Sequence, residues 1–369
     1  MDDQQWIHRI ALAMLKGIGP VNARNLVAYC GGVDALFTDK KLKNTLEKVP
    51  GIGPKLIASI TEKGILLKAE QELAYVRKHH LRMHFYLDPD YPQRLKHAED
   101  APVLLYSKGQ LVTDVEHMVA IVGTRTPTEQ GKRLCVDLVE GLKACNATII
   151  SGLAYGIDIV AHRTALKNDM PTIGCVAHGL DRLYPGEHAN TAKEMLEHGG
   201  LVSELPSSSP FAPGNFPARN RIIAGLSDCT VVVESGPKGG SLITADIASS
   251  YDREVFAYPG RPTDARSDGC NKLIQQNKAA LISNAQDVIT MMEWLPKKKK
   301  KAHVQVALFG DLMPDEQTLV DIIKARGSLH IDDLCVQSKM AQGKVAGLLL
   351  NLEFSGVVRS LPGKMYALN

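Results

Sequence analysis

Between residues 85 and 295, short apolar runs alternate with longer stretches whose apolar positions recur at helical spacing. The strand-like runs are Met118-Val119-Ala120-Ile121-Val122, Thr148-Ile149-Ile150, 172–177, Leu201-Val202, 229–233 and Glu254–Ala257; the helix-like stretches include 129–144 and Ile157–Lys167. Near-continuous apolar strands separated by helices predict a parallel sheet covered on both faces, a Rossmann-like doubly wound α/β architecture. Such sheets receive ligands beyond the carboxyl ends of their strands, so the residues after each run carry the functional information.

The flanks read differently. In residues 1–84, Leu15-Lys16-Gly17-Ile18-Gly19-Pro20 and Val49-Pro50-Gly51-Ile52-Gly53-Pro54 repeat one pattern. Glycine closes one helix in a left-handed turn and proline opens the next where no N–H is needed. This resembles a tandem of helix-hairpin-helix units, a SAM-like helical domain. Its glycine turns either offer amides to a phosphate or only shape a corner, and both readings stay open. At the other end, 296–302 is a Lys-rich linker and 303–369 a second small domain. Helices are expected at 316–324, Ile331–Ser338 and Gln342–Phe354, followed by a hairpin around Leu361-Pro362-Gly363. Three helices and a β-wing look like a winged helix.

Composition narrows the function. The chain has 369 residues, 44% of them hydrophobic, enough for several cores. No apolar run approaches the roughly 20 residues of a membrane helix, and the acidic N-terminus lacks a secretory apolar segment. Seven scattered cysteines without C-x-x-C spacing read as reduced thiols with no zinc site. A cytoplasmic protein without metal or cofactor is expected. The net charge of +3 conceals an asymmetry: residues 1–84 carry 13 Lys/Arg against 8 Asp/Glu, residues 85–295 carry 19 against 25. An anion site in the acidic middle must therefore come from a few focused groups. The C-terminal domain carries 6 against 7, and its expected recognition helix holds only Lys344 against Glu353. That balance favours a protein-contact or accessory role over sequence-specific duplex reading.

The strand ends supply those groups. Gly123-Thr124-Arg125 follows the first run, Ser151-Gly152-Leu153-Ala154-Tyr155-Gly156-Ile157-Asp158 the second, His178-Gly179 the third and Ser203-Glu204 the fourth. Gly214-Asn215-Phe216-Pro217-Ala218-Arg219-Asn220-Arg221 precedes the fifth, and Glu234-Ser235-Gly236-Pro237-Lys238-Gly239-Gly240-Ser241 follows it. Amides at helix starts together with Arg and Lys make anion sites that in series could track a phosphate chain. A dinucleotide fingerprint is missing, because Arg125 occupies the place of its second glycine and Ser151 that of the acidic residue. No Walker A sequence or G-x-S-x-G elbow occurs.

Taken together, Gly123-Thr124-Arg125, Ser151-Gly152-x-Ala154-x-Gly156-Ile157-Asp158, 216–224, 239–245 and Gly269-Cys270-Asn271-Lys272-Leu273-Ile274 resemble the DprA/Smf family, DNA-processing protein A. Five blocks in order cover essentially all of 85–295. The resemblance implies a dimeric, non-enzymatic protein that binds single-stranded DNA, protects incoming DNA in natural transformation and helps load RecA recombinase. Its DNA groove maps here onto Gly123, Thr124, Arg125, Ser151, Gly152, Gly214, Asn215, Phe216, Arg219, Arg221, Lys238, Gly239, Gly240 and Ser241. Single strands are held by a cationic, amide-rich track and aromatic faces, and Phe216 is either such a face or core. Arg125 binds phosphate, caps a helix or pairs with Glu204. Arg219 and Arg221, two apart at a helix start, face different ways, so one is expected on phosphate and the other in an internal ion pair. Asp158 and Glu234 are expected to anchor loops, and His79, His80 and His178 to be surface or supporting groups. The alternative is a nucleotide-processing enzyme related to nucleoside monophosphate phosphoribohydrolases. That family resembles the 238–245 loop, but Ala245-Asp246 stands where it places a catalytic Glu.

Overall fold

The computed structural model describes residues 2–39, 46, 57, 60, 64–294 and 312–369. The second Gly-Ile-Gly-Pro hairpin and the lysine run fall outside them. In the first hairpin, α1 (Asp3–Met14) ends before Gly17, whose φ of +75° suits glycine, and α2 (Pro20–Cys30) opens with Pro20 at its first position. Two further helices, α3 (Val33–Thr38) and α4 (Gly64–Lys78), complete the described part of this unit.

A nine-stranded sheet follows: β1 (Arg82–Phe85), β2 (Leu104–Gly109), β3 (Met118–Val122), β4 (Thr148–Ser151), β5 (Thr172–Cys175), β6 (Gly199–Ser203), β7 (Cys229–Val232), β8 (Glu254–Ala257) and β9 (Ala280–Leu281). Its order is β1-β2-β6-β5-β4-β3-β7-β8-β9. From β6 to β9 all pairings are parallel, whereas β1 and β2 add an antiparallel edge. The chain winds outward from β3 through β4, β5 and β6, then returns to β7 on the other side of β3, so the connectivity reverses between β3 and β7.

All five residues of β3 are buried, and they alternate between two cores. Met118, Ala120 and Val122 pack under α9 (Asn215–Leu226), α10 (Gly240–Ser250) and α11 (Asp268–Gln275). Val119 and Ile121 pack under α6 (Glu129–Leu142), α7 (Ile157–Lys167) and α12 (Ala285–Met291). Two short helices, α5 (Gln93–Lys96) and α8 (Ala189–Met195), close the edges. The expected boundary at 84/85 cuts through β1. Phe85, Val103, Leu104 and Tyr106 share one core with Ile10, Leu12, Leu26 and Leu73, so the helical unit is fused to the sheet edge. Arg9 adds an ion pair to Asp88 (2.6 Å).

The C-terminal unit has α13 (Pro314–Arg326), α14 (Ile331–Ser338) and α15 (Gln342–Phe354) around one core, with a sheet ordered β10 (Ser328–His330), β12 (Met365–Leu368), β11 (Val358–Leu361). It is a winged helix whose wing lies against the α/β unit. The Gly363 amide donates to the Asp252 carbonyl (3.0 Å), Lys364 pairs with Asp252 (2.8 Å) and Arg359 with Glu293 (2.6 Å). Lys344 is spent on Asp315. The His97 ring stacks on His330 with centroids 3.8 Å apart.

Burial, the neighbouring His330 and the more distant Arg253 push His97 down to about 4, although Asp333 and Asp332 oppose the shift. The unfolded chain takes up this proton near pH 6.5; the docked protein resists it until about 4. Stability from this contact is therefore fully present above 6.5 and falls as pH falls through that window. The hydrogen-exchange protection factor of the Gly363 amide should drop between pH 7 and 5, and drop less in His97→Phe, which keeps the ring but not the titration. Identical pH dependence in both proteins would contradict this assignment.

Candidate nucleic-acid interface

A cleft of about 860 Å³ opens over the carboxyl ends of β3 and β7, where the connectivity reverses. Its walls are Gly123–Arg125, the start of α9 and the 236–241 loop that enters α10.

The floor is braced by buried polar groups. Asp158 accepts the amides of Gly152 (3.1 Å) and Ala154 (3.4 Å), and burial raises its carboxyl above the usual range against the pull of Arg219. Glu234 accepts both the amide and the hydroxyl of Thr128 (3.0 Å each), while the Thr128 hydroxyl caps α6 through the Gly131 amide (2.9 Å). Both acids anchor loops. His178 is buried and takes the supporting one of its two expected roles: it bonds the Gly179 carbonyl and accepts the Tyr184 amide (3.1 Å), fixing the loop that carries Tyr184.

Four expected DNA contacts turn inward. Arg219 is only 5% exposed, and its Nη1 donates to the carbonyls of Gly152 (2.6 Å) and Cys175, at the ends of β4 and β5. It belongs to the cleft floor, not to an outward cationic face. Gly152 is glycine because a Cβ there would run into that guanidinium, and its amide is already spent on Asp158. Ser151 is fully buried and donates its hydroxyl to the Ile121 carbonyl (2.6 Å). Arg221 leaves the cleft altogether: it pairs with Glu204 and donates to the Asp100 carbonyl. The expected internal ion pair thus falls to Arg221, while Arg219 does not take the outward phosphate position, because its guanidinium is spent on the two strand-end carbonyls.

Of the others, Gly123, Thr124, Arg125, Phe216, Lys238, Gly239 and Gly240 line the mouth. Arg125 is exposed, forms no ion pair among the described residues, and places its guanidinium 5.4 Å over the Phe216 ring. Glu204, its suggested partner, is taken by Arg221. Lys238 is exposed and likewise without an ion pair among the described residues. The amides of Lys238, Gly239 and Gly240 donate to no acceptor among the described residues and lie at the positive end of α10. Ser241 is buried and bonds Ser235 (2.9 Å). The Thr124 amide is used by the Glu234 carbonyl (2.7 Å), and Gly123 packs against Ile157. Gly214 caps α9 in the open, while Asn215 holds the Pro210 carbonyl (3.1 Å).

Sequence reasoning missed two aromatic rings. Tyr184 and Phe211 meet Phe216 edge-on, at centroid distances of 6.1 and 5.6 Å, and pack on each other at 4.9 Å. Both are more than 40% exposed. Only 5% of the chain is aromatic, so three rings at one cleft form a concentrated apolar wall. The signal was there in two exposed-type aromatics beside Pro/Ser-rich loops, but nothing local links 184 to 211. Asp246, the acid nearest the position a phosphoribohydrolase would use, lies outside the cleft and pairs with Lys278 (2.8 Å).

Comparison with known proteins agrees with this architecture. Residues 82–293 match the family DNA recombination-mediator protein A, 310–364 match the DprA winged helix domain and 10–63 match a SAM-like helix-hairpin-helix tandem. Protein Smf of Synechocystis is 30% identical, with 99% of each chain covered. The structure of DNA processing protein A from Streptococcus pneumoniae superposes with a TM-score of 0.64 at 32% identity, covering 77% of this chain and 97% of that one. DNA processing protein A from Helicobacter pylori, solved for its single-stranded DNA binding mode, gives 0.53 at 31%, covering 58% and 95%.

The geometry separates two kinds of arginine. Arg219→Ala strips the donor from two buried carbonyls, at about 1–3 kcal/mol for each acceptor left unsatisfied, and should lower the melting temperature by several degrees. Arg125→Ala, exposed, should melt with the wild type. Equal melting of all three would show that Arg219 is not a brace.

Proposed function

Because the chain belongs to the DprA/Smf family of DNA recombination-mediator proteins, we propose that it binds single-stranded DNA in the cleft above β3 and β7, without catalysing a reaction. One observation carries this reading: two unpaired cations, a row of free amides and three aromatic rings converge on one mouth. Phosphates lie against Arg125, Lys238 and the Gly239–Gly240 amides, where α10 adds its dipole. Bases lie against Tyr184, Phe211 and Phe216; stacking of this kind contributes about 1–3 kcal/mol per base and tolerates any sequence. Arg125 above Phe216 serves both, gripping phosphate while stiffening the ring.

The carboxylates an enzymatic reading would call on are already engaged. Asp158 is committed to two amides, and Asp246 lies elsewhere. In the proposed reading the protein acts by holding DNA. In the same reading it works in the cytoplasm as a homodimer, protects incoming DNA during natural transformation and helps RecA recombinase onto the strand. The winged helix serves as an accessory module, its wing being occupied by the α/β unit.

Fluorescence anisotropy of labelled oligothymidine across a salt series tests the reading. Arg125→Ala and Lys238→Ala should each weaken binding and flatten the log affinity against log salt slope by about 0.7. Phe216→Ala should weaken binding with little change in slope. Wild-type affinity and slope in all three variants would overturn the site, and preference for duplex would overturn the substrate.

A further inference from the structure

The loop from Glu204 to Phe211 walls two hollows. Phe211 faces the cleft, while Pro210, one peptide bond earlier, lines a groove of about 550 Å³ between this loop and the helical unit. Resting on the cleft as the nucleic-acid site, we infer that this groove is a second subsite for the unpaired strand, carrying its sugar-phosphate backbone onward from the aromatic wall.

The groove has the chemistry of such a track. Lys16 and Lys68 line it and are exposed. Lys16 has no ion pair among the described residues, and its amide donates to no acceptor among them. Tyr75 lines the opposite part, half-buried, and stacks on the exposed His79 with centroids 4.1 Å apart, a ready flat face for a base. The Ser207 to Ser209 segment supplies the remaining wall.

That wall is fixed, not draped. Glu72, on α4 and 4% exposed, accepts the Ser207 amide (2.9 Å) on one oxygen and the Ser207 hydroxyl on the other. On the far side Asp181 accepts the Ser208 amide. The helical unit is joined rigidly to the sheet edge through its shared core and Arg9–Asp88. Cleft and groove thus keep a constant spacing, so a strand occupying both gains from linked contacts instead of reordering two domains.

The test compares oligothymidines of about six and about twenty nucleotides, bracketing the roughly 4–16 nucleotides held by single-strand-binding domains. Lys16→Ala should weaken the long oligonucleotide several-fold and flatten its salt slope by about 0.7, leaving the short one unchanged. Tyr75→Leu should weaken the long one with its slope kept. Lys238→Ala, in the cleft, should weaken both lengths. If the groove variants match wild type at both lengths, or lose equally at both, the subsite is wrong while the cleft stands. If Lys238→Ala binds normally, the cleft reading itself fails.

Discussion

Everything at the mouth depends on how the carboxyl ends of β3, β4, β5 and β7 are satisfied from within. Where parallel strands stop, their buried carbonyls and the following amides lose their sheet partners, and each needs another. Asp158, Arg219, Glu234 and Ser151 provide them, all buried and all bonded to backbone. Their engagement leaves Arg125, Lys238 and the 238–240 amides unpaired and held in place. The cleft is therefore preorganised: its ligand groups need no rearrangement to receive a chain of phosphates.

The same division of labour explains how an acidic α/β unit can hold a polyanion. Net charge acts at long range and is screened within about 8–10 Å at physiological salt. Two cations and a helix start at contact distance, with a low-dielectric floor below them, outweigh the diffuse negative charge of the remaining surface. The carboxylates closest to the cleft do not offset this, because they are turned into the protein. Recognition without base-edge donors gives binding that ignores sequence, which suits the proposed role of holding single strands.

The alternation of strands and helices was legible because parallel strands are buried on both faces and read as unbroken apolar runs, as in β3. The antiparallel edge was not: Arg82–Phe85 alternates polar and apolar residues, but over only four positions directly after a helix, and its partner β2 is identified only by pairing. The loops of the site were legible from their glycines and cations. What the residue types did not reveal was direction. Arg125 and Arg219 have the same chemistry, yet one ends over an aromatic ring and the other between two carbonyls, and only the packing of α9 against β4 and β5 decides it. Tyr184 comes from one loop, Phe211 from the segment leading into α9 and Phe216 from the start of α9, so nothing in the sequence links the first to the other two.

Amide hydrogen exchange of the full chain, with and without oligothymidine, addresses the central claim most directly. The account predicts new protection concentrated at 123–126 and 236–241, with the cores of β3 and β7 unchanged. Protection confined to the winged helix, with those loops exchanging as in the free protein, would contradict it.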